Sequence, residues 1–363
     1  MYFFTVLTLL SLASCAPADL TKRAPIFKPS TGQLIPNKYI VKLKDSALED
    51  ELYAAVSTLS DIEKVSYIYN GGRFKGFALE LDDKSLSDLQ QHRSVSDAIS
   101  MVEWIEQDAT VSINTYVSQT GAPLTPEFNG RVDFLANYVD DDDTDGNGHG
   151  THVAGTIGGS TYGVAKKTNV YAVKVLDSGG SGTVSAVLAG MGFVTNDAQS
   201  RNCPNGTVAN MSLGSSFSYT VNFAAQSIVE AGVFLAVAAG NSAQDARNTS
   251  PASEPSVCTV GAADETDATA YFSNYGSVVD VYAPGVDVVS SYIGGRGATS
   301  TLSGTSMASP HVAGLGAYLL ALGGQKSPAE LCSYIQEIAT PDALEDVPSG
   351  TKNLLAFNGN PSS

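Results

Sequence analysis

The hydrophobic pattern over residues 37–113 predicts a small α+β unit early in the chain. Stretches rich in β-branched and aromatic residues alternate with stretches whose apolar residues recur at helical spacing, and a Gly71-Gly72 pair marks a turn. In chain order, the predicted strands and helices lie at residues 39–43, 48–59, 65–69, 74–81, 86–91 and in a strand that ends at Ile113. The order strand, helix, strand, strand, helix, strand is that of a split ferredoxin-like fold.

A longer unit follows, in which short apolar runs alternate with helical patterns. The runs fall at residues 170–176, 208–213, 233–238, 258–262 and 278–282, and helical patterns lie between several of them, at residues 184–194 and 224–231. Strands that alternate with helices predict an α/β fold, a parallel sheet with helices on both faces. Right-handed crossovers in such a sheet place functional residues at the C-terminal ends of the strands.

Residues 312–322 are apolar nearly all round, which predicts a helix buried in a large core. Pro310 near its start is tolerated, because amides of the first turn have no partner within the helix. Ser306 would then lie at the N-terminal end of this helix, where amides and the helix dipole favour negative charge. That position suits a nucleophile whose attack creates an oxyanion, and an ordinary N-cap serine is the alternative.

Residues 1–16 are apolar and uncharged, which predicts a secretory signal peptide. The stretch is too short for a membrane span, and no other stretch is long enough, so we expect a secreted, extracellular protein without a membrane partner. The formal net charge of -17 argues against a nucleic-acid partner, which would need a basic face. A chain of 363 residues that is 43% hydrophobic can bury a large core.

Three segments carry residues that are suited to acyl transfer. Residues 304–314 read GTSMASPHVAG, residues 145–156 read DGNGHGTHVAGT, and residues 238–241 read AAGN. In sequence and in chain order, they resemble the nucleophile, histidine and oxyanion-hole motifs of the subtilisin family, and of its fungal proteinase K-like enzymes in particular. The resemblance implies that Ser306 is the nucleophile, His149 the general base, and Asn241 a side chain of the oxyanion hole.

The same resemblance assigns roles to the two units. Residues 37–113, with VEWIEQD at 102–108, are similar to the inhibitory propeptide of subtilisins. Such a domain assists folding, occupies the substrate cleft and would be removed here near residues 114–117. Residues 117–363 would form the subtilisin-like catalytic domain and act as a monomer. The resemblance therefore implies a secreted serine endopeptidase precursor, with polypeptide substrates and its own propeptide as partners.

The resemblance also implies a cleft that binds an extended peptide between two segments. Their backbones would pair with the peptide as added strands, and side-chain pockets would supply a broad, apolar preference. The residues of the two segments are Gly180, Ser181, Gly182, Ser212, Leu213 and Gly214.

The catalytic aspartate is missing from this pattern. Residues 116–124 resemble the start of the mature enzyme and run directly into residues 125–131, which resemble the segment after the aspartate motif. A stretch of the family pattern, including the aspartate and an inner strand of the sheet, is therefore absent between Leu124 and Pro126. Asp140 to Asp143 and Asp145 precede His149 too closely to lie under its ring, so we expect no substitute among them.

The cysteines lead to the same expectation. Three remain after removal of the signal peptide, an odd number for a secreted chain. By resemblance, Cys258 pairs with Cys332, and the partner of Cys203 would lie in the absent segment.

Metal binding is expected at one place. By resemblance, Pro255 and Val257 through their carbonyls, and Asp280 through its carboxylate, would hold a structural Ca²⁺. Two other metal patterns are weaker. The acidic run before His149 resembles an EF-hand loop, but it has His152 at the position where such a loop needs glutamate. His149 and His152 also lack the usual spacing of the histidines in zinc proteases. Two further hypotheses stay open: a catalytically inactive or truncated subtilisin relative, and a secreted metal-binding domain.

Overall fold

The computed structural model describes residues 24–29, 33–58, 64–90, 101–113 and 126–360 of the chain. The predicted signal peptide at residues 1–16, the predicted maturation site and the junction at Leu124 lie outside these residues.

The N-terminal domain is a mainly antiparallel sheet covered by helices. Its elements are β1 (Ile26–Phe27), β2 (Leu34–Leu43), α1 (Glu49–Thr58), β3 (Val65–Gly71), β4 (Phe74–Glu80), α2 (Asp83–Gln90) and β5 (Val102–Ser112). The strand order is β1-β5-β2-β4-β3, with β2 antiparallel to both β4 and β5. Leu52 of α1 and Leu89 of α2 pack on Val41 and Phe77 of the sheet, which closes a small apolar core.

The larger domain alternates strands and helices. Its first elements are β6 (Val132–Asn137), α3 (His149–Gly158), β7 (Val170–Lys174), β8 (Ser181–Thr183), α4 (Val184–Ser200), β9 (Thr207–Met211), β10 (Ser215–Ser216), α5 (Tyr219–Glu230), β11 (Val233–Ala238) and β12 (Thr249–Ser250). The rest are β13 (Cys258–Ala263), β14 (Val281–Pro284), β15 (Val288–Ser291), β16 (Thr299–Leu302), α6 (Thr305–Gly323), α7 (Pro328–Ile338), β17 (Thr340–Pro341) and β18 (Leu354–Leu355).

A mainly parallel sheet with helices on both faces forms the centre of this domain. Its order is β17-β18-β14-β13-β11-β9, and β9, β11, β13 and β14 are parallel neighbours. Alternate residues of β11 face opposite sides: Leu235 joins the cluster of α4 and α5, whereas Phe234 joins the cluster of α6 and α7. The predicted α/β class is therefore confirmed.

The sheet is divided between β7 and β9. Strands β6 and β7 form a separate parallel pair, and β7 and β9 do not pair with each other in the described part of the chain. Inner strands of a parallel sheet are normally buried on both faces, as every residue of β11 and β13 is. By contrast, every residue of β9 is only half-buried, and Tyr171 of β7 is 40% exposed. The burial pattern is that of a sheet with two open inner edges.

The N-terminal domain docks on the N-terminal ends of α4 and α5. Glu106 accepts a 3.1 Å hydrogen bond from the Thr220 amide at the start of α5, and Asp108 accepts a 3.1 Å bond from the Ser185 amide at the start of α4. Both carboxylates are almost fully buried, and burial raises the pKa of each. Donors at the helix starts, where the dipole is positive, compensate for that burial.

None of the helices in the described residues combines the length and apolarity that are needed to cross a bilayer.

Candidate active site

Ser306 lies in the first turn of α6, as the apolar run after it predicts. The residue is 4% exposed, and its Oγ donates a 3.2 Å hydrogen bond to the carbonyl of Ser212, just after β9. The Ser212 hydroxyl donates in return to the Ser306 carbonyl at 2.7 Å. The C-terminal end of a core strand and the start of a buried helix are therefore locked together at the expected nucleophile.

Asn241 lies beside Ser306 at the C-terminal end of β11. Its Oδ1 accepts hydrogen bonds from the amide and the hydroxyl of Thr305, both at 2.8 Å. Its Nδ2 lies next to Gly304, where a Cβ would come within 3.3 Å of that nitrogen and 3.8 Å of the Ser306 Cβ. An amide donor thus flanks the serine, as an oxyanion hole requires.

His149 is the first residue of α3 and is 7% exposed. Its Nε2 is buried and has no hydrogen-bond partner, and no carboxylate bonds to its ring within the described ranges. Burial lowers the pKa of His149 to about 4, with a smaller contribution from His152. The imidazole is therefore neutral near pH 7, the state that a general base needs.

Helices α3 and α6 bring the serine and the histidine to the same end of the domain. Val153 of α3 and Met307 of α6 share one apolar cluster. Further along both helices, α6 again lies against α3, since a Cβ on Gly314 of α6 would be only 2.9 Å from the carbonyl of Ile157 in α3. The two helices therefore run side by side in the same direction, with Ser306 and His149 at their N-terminal ends. The direct bond between them is not formed, because Ser306 donates to Ser212 instead.

Asp145 does not orient His149, because its carboxylate is used to start α3. One oxygen accepts from the Asn147 and Gly148 amides at 3.0 and 2.7 Å, and the other accepts from the Thr151 amide and hydroxyl at 2.8 and 2.7 Å. This is helix capping by a side chain. A different contact holds the acidic loop before Asp145, an ion pair between Asp140 and Lys174 at 2.7 Å.

The expected substrate segments hold the last residues of the N-terminal domain. Strand β5 pairs antiparallel with β8, so that Val111 lies opposite Gly182 and Ser112 opposite Ser181. Ser112 also bridges to Gly214, and the Ile113 amide donates to the Gly180 carbonyl at 3.0 Å. The domain thus places an extended strand between the two segments, in the manner of a bound peptide.

The expected metal residues fall near the start of β13. The amide of Thr259 donates to Asp280 Oδ2 at 3.0 Å, and the Asp280 amide donates back to the Thr259 carbonyl at 2.9 Å. Pro255 and Val257 precede Thr259 by a few residues in the chain, and carbonyl and carboxylate oxygens are the donors that Ca²⁺ prefers. The other oxygen, Asp280 Oδ1, binds Lys352 at 2.8 Å.

The zinc alternative has no geometric support. The Nε2 of His152 bonds to the Val288 carbonyl at 3.0 Å, so this nitrogen is not available to a metal ion. The single group of candidate metal ligands within the described residues is Cys258, Asp280 and Cys332. Its two cysteines form a disulfide between β13 and α7, whereas Cys203 is a free, half-exposed thiol.

Asn274 supports the oxyanion segment and carries no sequence signal. It is 1% exposed; its Oδ1 accepts from the Ser242 and Gln244 amides, and its Nδ2 donates to the Ala239 carbonyl at 2.9 Å. These bonds fix the loop on which Asn241 stands. Nothing in the residues around Asn274 distinguishes it from any other polar loop residue.

Comparison with known proteins identifies the family. The sequence profile described as "Subtilase family" matches residues 82–357. The cuticle-degrading protease of Metarhizium anisopliae is 45% identical over 399 aligned positions, which cover 99% of this chain and 100% of that protein. Proteinase R of Parengyodontium album is 45% identical over 97% of this chain and 98% of that protein, and Proteinase T of the same fungus is 59% identical over 67% and 83%.

A solved structure shows the same fold. The crystal structure of a cold adapted subtilisin-like serine proteinase matches with a TM-score of 0.61 and 45% identity, over 66% of this chain and 86% of that one. The alignment with the Metarhizium protease has 399 positions and this chain has 363 residues, so at least 36 positions of the alignment face a gap in this chain.

Proposed function

The chain belongs to the subtilase family, and from this premise we propose that it is the precursor of a secreted serine endopeptidase whose chemistry is impaired. The impairment comes from the loss of an inner strand together with the triad aspartate at its end. One observation carries the proposal: the parallel sheet is open between β7 and β9, beside an otherwise assembled site.

In the proposed reaction, Ser306 Oγ attacks the carbonyl carbon of the scissile peptide bond while His149 Nε2 takes the hydroxyl proton. The developing oxyanion accepts hydrogen bonds from the Asn241 side-chain amide and the Ser306 backbone amide. The amine leaves with a proton from the imidazolium, and water then releases the acyl group by the reverse sequence. Ser306 has to turn away from the Ser212 carbonyl for this sequence to begin.

The missing aspartate limits the rate because it holds the correct tautomer of the histidine and stabilises the imidazolium. In characterised serine proteases, a subtilisin among them, its loss alone lowers kcat by about 10⁴-fold, or roughly 5–6 kcal/mol of transition-state stabilisation. Here burial lowers the pKa of His149 to about 4, and the charge of Asp145, which makes no hydrogen bond to the ring, opposes that shift only in part. The imidazolium of the transition state is therefore costly.

Three observations support the loss of a segment. The residues of β7 and β9 are half-buried, or exposed in the case of Tyr171, where those of inner strands should be buried. At least 36 aligned positions of a relative have no counterpart in this chain. Cys203 has a free thiol, which is unusual in an exported protein. Together they favour a shortened form of an active protease over a different kind of protein.

The position of β5 supports an inhibitory role for the N-terminal domain. Its last residues pair with Gly182 and Gly214 and so fill the groove that leads to Ser306. As long as this strand remains bound, a substrate peptide is excluded from the same backbone partners. Export to the extracellular space, and a structural Ca²⁺ held by Pro255, Val257 and Asp280, are further parts of the proposal.

The decisive experiment restores the segment. The chain is compared with a variant that carries, between Leu124 and Pro126, the stretch of the Metarhizium protease that faces the gap. We expect hydrolysis of an apolar chromogenic peptide to rise by about 10⁴-fold, a fluorophosphonate to label Ser306 faster, and the thiol of Cys203 to disappear into a disulfide.

Ser306→Ala in both backgrounds is the matched control and should abolish turnover and labelling. Equal turnover by the shortened and restored chains would overturn the claim of impairment. Failure of the restored chain to cleave peptides, although it is folded, would favour the alternative of a catalytically inactive relative.

A further inference from the structure

Among the described residues, Lys352 is the only one that forms an ion pair with Asp280. Its Nζ lies 2.8 Å from Asp280 Oδ1 and 2.8 Å from the side-chain oxygen of Gln336. Two oxygens from different elements, a carboxylate before β14 and an amide on α7, therefore converge on one ammonium group. Lys352 itself lies two residues before β18.

The ammonium group connects the parts of the fold that meet at this point. Asp280 Oδ2 bonds to the Thr259 amide of β13, and the adjacent Cys258 is tied to Cys332 of α7 by the disulfide. A cation that bridges Asp280 and Gln336 thus joins β13, α7 and the C-terminal segment. This is the structural role that a bound metal ion would otherwise have at such a junction.

We propose that Lys352 is a built-in cation that competes with Ca²⁺ for Asp280, so that the chain stabilises this junction with little dependence on calcium. The inference rests on the calcium site of the proposed function, and not on catalysis. It concerns only which positive charge occupies the carboxylate of Asp280 and how strongly the fold depends on it.

The competition follows from the ligands that calcium needs. Ca²⁺ takes six to eight oxygen ligands, and its affinity depends strongly on how many of them are charged. Of the three expected protein ligands, Asp280 alone carries a charge, and one of its oxygens already accepts from an amide. An ion that binds the other oxygen has to displace the Lys352 ammonium, because two cations on one oxygen repel each other.

Displacement remains possible because of where Lys352 lies. Its side chain is 42% exposed, whereas that of Asp280 is 19% exposed, so the lysine can move into solvent while the carboxylate stays in place. The expected result is weakened calcium binding and not its complete loss. Replacing Lys352 by an uncharged side chain of similar length should therefore expose a tighter site.

The test measures the thermal unfolding midpoint of the full chain in chelator and over about 1 µM to about 10 mM CaCl₂. We expect Lys352→Met to lower the half-saturating calcium concentration by about tenfold or more, and to lower the midpoint in chelator. Lys352→Arg should respond to calcium like the unchanged chain, since it keeps the charge. Lys352→Met with Asp280→Asn should lose the calcium response.

Lys326→Met is the matched control for the general effect of removing one positive charge from an acidic protein. Lys326 lies over the ring of Tyr334, at 4.9 Å, and not on Asp280. The proposal is overturned if Lys326→Met gains as much calcium sensitivity as Lys352→Met, if Lys352→Met binds calcium no more tightly than the unchanged chain, or if the response survives Asp280→Asn. Because the measurement is unfolding, a failure of the proposed peptidase activity would leave these outcomes unaffected.

Discussion

Phe223 on α5 is the side chain by which we expect the N-terminal domain to be held most strongly. Four groups of that domain surround its ring: the Nζ of Lys42 at 4.6 Å, the guanidinium of Arg73 at 5.4 Å, and the rings of Trp104 and Phe74 at 5.5 and 6.1 Å. Truncation to alanine removes all four contacts at once. The buried Lys42 keeps its partner Asp45 at 3.0 Å and so is not left uncompensated.

The expected cost follows from these contacts. Full burial of a phenylalanine is worth about 3–5 kcal/mol against alanine, and Phe223 is half-buried, so roughly 2 kcal/mol is lost in packing. Two cation–π contacts add about 0.5 kcal/mol each. Undocking should therefore become easier by roughly 3 kcal/mol, which is on the order of a hundredfold in the opening equilibrium.

Hydrogen exchange of the full chain measures this directly. In Phe223→Ala, amides of β5 and β8 should exchange on the order of a hundredfold faster, while those of β13 in the core of the larger domain should change little. Tyr271→Ala is the control, because Tyr271 is an aromatic residue that is 91% exposed. Unchanged exchange of β5, or an equal acceleration in β13, would refute the assignment of Phe223 as the docking anchor.

Two further predictions concern the same domain contact and the histidines. A Cβ at Gly71 would lie 2.6 Å from the Cα of Gly192, so Gly71→Ala should lower the unfolding free energy by about 1–3 kcal/mol. A Cβ at Gly192 would meet only the Cα of Gly71, at 3.9 Å, so Gly192→Ala should raise the unfolding free energy by up to about 1 kcal/mol through helix propensity. Urea unfolding distinguishes the two signs. Burial lowers the pKa of both His149 and His152 to about 4, so between about pH 6.5 and 4 the unfolded chain binds more protons than the folded one. The unfolding free energy should then fall, as the pH drops through that window, by up to about 1.4 kcal/mol per pH unit for each histidine, and a flat profile in urea titrations would contradict it.

The strands of the core could be predicted because their sequences are locally unambiguous. Residues 233–238 were expected to form a strand and do so as β11, since an uninterrupted apolar run of that length suits a strand buried on both faces. Helix starts were less accurate: α5 begins at Tyr219, before the apolar pattern at 224–231, because the hydroxyl of Ser218 caps a polar first turn.

Other features could not be read from local pattern. A strand was expected at residues 278–282, but β14 covers Val281–Pro284, and the fully buried Val279 packs from the preceding loop. The strands β15 and β16 have only four residues each, which is too short for their pattern to stand out from the surrounding loop. The Ser212 carbonyl at Ser306, the support of Asn241 by Asn274, and Lys352 at Asp280 all join residues that are distant in sequence, and tertiary packing alone brings them together.

In the shortened form that we propose, the serine and histidine stay together because helices, and not the sheet, fix their relative position. Helix α3 is held to the nucleophile's side of the gap by its packing on α6 and by the Ser290 hydroxyl, which donates to the His152 carbonyl at 2.9 Å. Tyr292 donates to the Asn147 carbonyl at 2.8 Å, two residues before His149. The impairment that we propose is therefore of two separable kinds, an open sheet that lowers stability and a missing carboxylate that lowers the rate. Filling the gap with a strand that lacks the aspartate should restore stability without restoring the rate, because nothing on the histidine's side of the site has to move.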